Sequence, residues 1–235
     1  MVTEAHNRNE LTNSPDILIS AIAARTKKIR VGACGINIRY HYPLRIIEKF
    51  KTLEALYPDR IDLGISSGYH YPPQLAAAYD TAFRTRPEDI PALYGELFDP
   101  PFDPMPGISL PPVWVPMTPK LTNAVAIGKR GVGYVVGNYE SLDAVSRAID
   151  AYREAFEKAG HRHEPRIMVD VVYAPQRFRK DMKFRFPIME EGAITDLPAQ
   201  IGVLRGMTDE ILVQAPVYNL EDRFICYQEI AQALT

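Results

Sequence analysis

The side chains able to bind or react are concentrated in two short stretches. Asn37-Ile38-Arg39-Tyr40-His41-Tyr42-Pro43 is polar and aromatic, and Tyr69-His70-Tyr71 repeats the aromatic and histidine combination directly after the small-residue turn Ser66-Ser67-Gly68. Phenol rings offer flat walls with a polar tip, and a turn without bulky side chains lets a ligand approach the backbone. Such loops suit the walls of a small-molecule pocket, and their polar tips suit a wet surface equally. What places them together is the pattern around them. Ile29, Val31 and Ala33 alternate with Arg30 and Gly32 as a strand does, and Ile61-Asp62-Leu63-Gly64-Ile65 is a second strand. An apolar helix carrying Ile17, Ile19, Ile22 and Ala23 precedes the first strand, and an amphipathic helix joins the two. Both polar loops therefore leave a parallel scaffold in the same direction, where such loops carry function.

The same alternation extends along the chain. Val2 to His6 reads as a short strand, and Ser14 with Pro15 opens a helix running to about Thr26. Pro43 opens the next, with Ile46, Ile47, Phe50, Leu53 and Leu56 at three- and four-residue steps, and Tyr57-Pro58-Asp59 stops it. Helices are predicted over Gln74–Phe83 and Glu88–Phe98, followed by Asp99–Pro111, too proline-rich for helix or interior strand. Strands at Val113–Val115, Gly133–Val136, Ile167–Tyr173 and Glu210–Gln214 then alternate with helices at Thr122–Arg130, Leu142–Ala159, Pro198–Arg205 and Leu220–Leu234. Gly131, Gly160 and Gly206 mark helix ends. Seven strands alternating with helices imply an α/β fold with a parallel sheet and right-handed crossovers, open or closed into a barrel. One domain is expected over residues 1–235, with a proline-rich excursion at about 69–112.

Composition narrows the function classes. With 27 basic and 29 acidic residues the formal charge is -2, so bulk electrostatics offers no reason to expect nucleic acid or an anionic membrane as partner. The basic cluster Arg177-Phe178-Arg179-Lys180 reads as a solvated loop. Two cysteines, Cys34 and Cys226, form neither a disulfide framework nor a metal-binding spacing, which favours a reducing cytoplasm and no metal. No apolar run approaches membrane-spanning length, and Met1 to Asn13 are too polar for a signal peptide. No G-x-G-x-x-G fingerprint of a dinucleotide site is present.

Several motifs in a fixed order and spacing now matter. These are Thr3-Glu4-Ala5-His6-Asn7, Ser14-Pro15, Ala23-Ala24-Arg25-Thr26, Ile29-Arg30-Val31-Gly32, Pro43-Leu44-Arg45 with Glu48, and Leu53-Glu54 with Pro58-Asp59-Arg60-Ile61-Asp62-Leu63-Gly64-Ile65. Together they resemble the luciferase-like flavin monooxygenase family. The resemblance is specific over about Thr3 to Gly68, weaker over Pro112 to Val136, and topological beyond. It implies a TIM-barrel-like (β/α) barrel with loops converging at the C-terminal mouth. It makes Val2–His6 the family's second strand, so this chain would be a member shortened at its N-terminal side, with seven strands and the usual first strand missing. That leaves an incomplete barrel, a strand borrowed from a partner, or a shortened version of a longer protein, and an open edge would invite pairing with another chain.

The resemblance also assigns residues. The family's Glu-His-His reads Glu4-Ala5-His6 here, so one histidine is replaced by alanine and His6, with Glu4, is left for acid–base catalysis. Cys34-Gly35 takes the place of a non-proline cis peptide beneath the flavin ring in many relatives. Ser66 and Ser67 stand where luciferases carry a cysteine and an arginine, so a phosphate-binding positive charge must come from elsewhere; Arg86 is the candidate. Thr118, Lys120 and Thr122 open a helix whose free N–H groups and dipole favour a phosphate. The implied activity is oxygenation of a small organic substrate with dioxygen and reduced FMN from a separate flavin reductase, in a homodimer or heterodimer. Two other functions stay open: a deazaflavin-dependent hydride-transfer enzyme, and a flavin- or ligand-binding protein without catalysis.

Overall fold

In the computed structural model, the described residues are 1–6, 13–67, 74, 77, 90–137, 141–172, 197–208, 210–215 and 220–233. They fall into two compact units, Met1–Pro116 and Met117–Thr235.

The first unit is a three-stranded parallel sheet with its helices. Helix α1 (Pro15–Arg25) starts where Ser14-Pro15 predicts and buries Ile19 and Ala23. Strand β1 (Val31–Asn37) runs into a single 3-10 turn (Ile38–Tyr40), then α2 (Pro43–Leu56), β2 (Ile61–Ser66), α3 (Ile90–Phe98) and β3 (Val113–Met117). Helix α2 buries Ile46, Ile47, Phe50 and Leu53 as its spacing requires, whereas Leu56 at its last turn is exposed. Strands β1 and β2 pair in parallel from Val31 opposite Ile61 to Asn37 opposite Ser66, with a register shift between Ala33 and Ile36. The Cys34–Gly35 peptide within that shift is cis, as the resemblance implies. Strand β2 pairs β3 in parallel through Leu63 with Val113 and Gly64 with Trp114. The absence of a side chain at Gly64 permits the β1–β2 approach, since a Cβ there would lie 2.9 Å from Cys34 Cα and overlap Ala33 O.

The expected strand over Val2–His6 is reduced to one parallel bridge. Val2 N–H donates to Gly32 O at 2.7 Å and Val2 O accepts from Cys34 N–H at 2.8 Å. Beyond Val2 the segment meets β1 through side chains: Thr3 Oγ1 donates to Cys34 O, and the Glu4 carboxylate accepts from Asn37 N–H. The described strands therefore number six rather than seven. The proline-rich segment after α3 is neither helix nor strand, as expected, and it is pinned to α2 by Lys51, whose Nζ donates to Asp103 Oδ1 at 2.6 Å and Met105 O at 3.3 Å. The expected helix at 74–83 lies outside the described residues apart from residues 74 and 77, both helical.

The second unit contains α4 (Leu121–Arg130), β4 (Gly133–Gly137), α5 (Leu142–Lys158), β5 (Ile167–Val172), α6 (Leu197–Leu204), β6 (Glu210–Gln214) and α7 (Leu220–Ala233). Gly131 ends α4 at φ 74°, a left-handed conformation that favours glycine. Ser141 caps α5, its Oγ accepting from Ala144 N–H at 3.2 Å. Strand β4 pairs β5 and β5 pairs β6, both in parallel. Tyr134, Val135, Val145, Ile149, Tyr152, Phe156 and Val169 form its core. No helix among the described residues is long and apolar enough to cross a membrane.

Candidate active site at the ends of β1 and β2

A buried polar cluster of the first unit is built on Glu4. Its carboxylate is fully buried, and each oxygen is used. Oε1 lies 2.5 Å from His6 Nε2 and 2.9 Å from His41 Nε2, while Oε2 accepts from Asn37 N–H at 2.7 Å and lies 3.1 Å from His41 Nε2. Burial alone would raise the carboxyl pKa. The hydrogen bonds from His41 and His6, the Coulombic attraction of His41 and the Asn37 N–H outweigh it and hold the group at about 2. Glu4 is therefore an anion throughout the physiological range, and its charge falls between two imidazoles.

Local structure explains how His41 reaches it. Asn37 ends β1, and its Oδ1 accepts from Arg39 N–H at 3.3 Å, capping the 3-10 turn that carries His41 back over Glu4. The same asparagine thus shapes the turn with its side chain and anchors the carboxylate with its backbone. Its Nδ2 is buried with no hydrogen-bond partner among the described residues. Tyr40 is buried, its ring standing edge-on to His6 at 6.1 Å between centroids, while Tyr42 is exposed before α2. The aromatic-histidine loop after β1 is thus a divided structure: one tyrosine in the packing, one in solvent, and the histidine on a buried charge. Spacing gave no sign of this, because Glu4 and His41 are 37 residues apart.

The remaining expected residues fall into separate groups. Ser66 stands opposite Asn37 in the sheet, its Oγ 3.5 Å from Ile36 O, and Ser67 follows half-buried. Cys34 is half-buried and Gly35 buried in the same strand. In the second unit, Thr118 O accepts from Lys120 N–H at 2.7 Å and Tyr134 Oη at 3.1 Å, and Thr118 Oγ1 accepts from Asn123 Nδ2 at 3.3 Å. Lys120 precedes α4 without a side-chain cap, and both Lys120 and Thr122 are exposed. Arg86, Tyr69, His70 and Tyr71 lie outside the described residues. Sequence reasoning missed His41 as a partner of Glu4, the double role of Asn37, and the buried Asp170 of β5, whose carboxylate accepts from Gln214 Nε2. An open groove of about 810 Å³ runs along α1 and α2 past Ile17, Ala24 and Leu53, but no residue of the Glu4 cluster lines it.

Comparison with known proteins bears on fold and family together. Residues 1–184 match the family described as luciferase-like monooxygenase. Curated relatives include the uncharacterised protein YceB of Bacillus subtilis (strain 168), 31% identical over 183 residues, or 72% of this chain and 55% of YceB. The N-acetyl-S-alkylcysteine monooxygenase of the same organism is 29% identical over 64% of this chain and 51% of its own length. The chain thus spans about half the length of these relatives. Among solved structures, apo-MsnO8 superposes with a TM-score of 0.77 at 24% identity, covering 99% of this chain and 86% of its own. The FMN complex of the oxygenating constituent of 3,6-diketocamphane monooxygenase, from Pseudomonas putida, gives 0.71 at 17% identity over 97% and 84%. An F420-dependent secondary alcohol dehydrogenase gives 0.66 at 13% identity over 98% and 87%. These likenesses establish the expected TIM-barrel-like α/β fold. With a family match over 184 of 235 residues, the chain belongs to the luciferase-like monooxygenase family.

Proposed function

We propose that this chain is the oxygenating component of a two-component flavin monooxygenase, using dioxygen and reduced FMN from a separate reductase to oxygenate a small organic substrate. The observation that carries the reading is the buried Glu4 anion with its two imidazoles at the strand ends, in a chain of the luciferase-like monooxygenase family. FMN is favoured over other flavins by its presence in the diketocamphane enzyme of the same fold. A second subunit, identical or not, is expected beside the reductase.

The residues present fit such a cofactor. Asn37 Nδ2 is a buried donor without a partner among the described residues, suited to a ring carbonyl. Ser66 and Ser67 add hydroxyl donors at the neighbouring strand end, and half-buried Cys34 lies on β1 beside them. Thr118, Lys120 and Thr122 at the uncapped start of α4 stay candidates for the phosphate that the resemblance implies, as does Arg86 for its positive charge. Reduced flavin would bring the redox chemistry with dioxygen. The protein would orient the reactants, limit water, and hold or move protons at His6, with Glu4 stabilising a positive charge on its ring.

Stopped-flow absorbance tests the reading. Anaerobic protein with reduced FMN is mixed with aerated buffer, with and without an N-acetyl-S-alkylcysteine as first probe substrate. The expected result is an oxygen-dependent absorbance change with a lifetime longer than that of free reduced FMN, and His6→Ala should lose turnover while keeping flavin affinity. Reoxidation indistinguishable from free FMN would overturn it. The F420-dependent enzyme of the same fold favours one second reading, deazaflavin-dependent hydride transfer. Binding of reduced deazaflavin but not of reduced FMN would replace the first reading with the second.

A further inference from the structure

We propose that His41 is a second acid–base residue of this site, exchanging protons between solvent and the Glu4–His6 pair; its use in catalysis rests on the monooxygenase reading above. Three features of the geometry point to it. Both imidazoles meet one carboxylate through Nε2, His6 at 2.5 Å and His41 at 2.9 and 3.1 Å, so one pair of oxygens joins the two rings. Exposure rises in steps across the cluster, from 0% for the Glu4 side chain to 9% for His6 and 26% for His41. The turn holding His41 is not a loose loop: it is capped by Asn37, whose N–H also fixes Glu4, so ring and carboxylate are positioned by one residue.

Charge balance gives the arrangement its use. When His6 takes a proton from a reacting group, an N–H bond forms on its ring and the cluster gains one positive charge. His6 then passes its Nε2 proton to Glu4 Oε1, Glu4 passes it to a bare Nε2 of His41, and the His41 imidazolium so formed loses its Nδ1 proton to water, so one N–H bond forms and one breaks on each ring and the starting charge returns with no electron transferred. Other ionisable groups on the surrounding elements are Arg39 and Tyr40 of the turn, and Tyr94 and Glu96 of α3, which packs against that turn. Burial raises the pKa of Tyr94, whose hydroxyl donates to Ile65 O at 3.4 Å, so that phenol stays neutral.

The test reads the exchange of the His6 ring N–H with water by nitrogen-15 NMR on flavin-free protein labelled at histidine. H41Q keeps a donor for Glu4 and H41A removes it. If His41 moves protons, both variants slow exchange at His6 by about tenfold or more, and added imidazole restores the rate in H41A. If His41 is only a clamp, H41Q exchanges like the wild type, imidazole restores nothing in H41A, and the proposal falls. Failure of the wild type to bind reduced FMN would remove the flavin reading while leaving this result to decide the role of His41.

Discussion

The two ends of β1 and β2 are built for opposite purposes. At their N-terminal ends most of the polar groups are closed in on one another, although Glu54 Oε2 is buried with no hydrogen-bond partner among the described residues. Asp62 accepts two hydrogen bonds from Arg30, at 3.0 and 2.5 Å, and a third from Trp114 Nε1 at 2.9 Å. Arg60 holds the end of α1, donating to Ala23 O, Thr26 O, Thr26 Oγ1 and Ile29 O. Glu54 accepts from Asp59 N–H at 2.7 Å, securing the turn in which Asp59 takes a φ of 61°. At the C-terminal ends a buried anion faces two imidazoles, one of them partly open to solvent, and an asparagine keeps an unused donor. The first end spends its polar groups on structure; the second retains groups able to exchange protons or bind a ligand.

This contrast can be broken in several ways. Gly64→Ala strikes the junction of the two ends, because the new Cβ meets β1 backbone rather than a flexible side chain; a loss of about 3 kcal/mol or more in urea unfolding is expected. Asp62→Ala leaves the Arg30 charge and the buried Trp114 N–H without their acceptor, and should cost about 3 kcal/mol while flavin affinity of the folded fraction stays unchanged. A loss of affinity without a loss of stability would reverse the assignment of this end.

The Glu4 end should show itself through pH. Glu4 is held at about 2 in the folded protein against an ordinary value of 4.5. Its contribution is therefore fully present above about pH 4.5 and is lost as pH falls toward 2. The shift corresponds to about 3 kcal/mol, so wild-type urea midpoints should drop over this window and those of Glu4→Gln should drop less. Parallel curves would show that Glu4 is not the group responsible. The smallest effect belongs to Ser66→Ala. Its one hydrogen bond among the described residues, at 3.5 Å, predicts a stability change within about 0.5 kcal/mol, with weaker flavin binding as its only large consequence.

The difference between the ends also explains how much was legible. Four of the motif residues that carried the family resemblance, Glu54, Asp59, Arg60 and Asp62, are structural pins of the N-terminal end. Their partners are set by a helix stop and a strand start a few residues away, so they travel with the fold. The chemical end was read less fully. His6 and Glu4 were expected to act together, and their side chains do meet; His41 was grouped with Tyr40 and Tyr42 as a wall, and only the capped turn separates the three. Val2–His6 has the composition of a strand but lacks its ladder, because side-chain bonds from Thr3 and Glu4 replace backbone pairing beyond Val2.

For the six described strands and the helices between them, the sequence by itself determined the order and the limits to within about two residues, whereas the strand expected at Val2–His6 is a single bridge. Apolar period, Pro43 at a helix start and Gly131 at a helix end act over one or two turns, and that range is visible in a linear chain. Tertiary structure alone decided that Glu4 is buried, that both its oxygens are occupied, and that His41 shares it with His6. Those facts depend on the register of the N-terminal segment against β1 and on a turn 37 residues away in the chain, and the free energy of a buried charge is fixed by the partners that the fold brings to it.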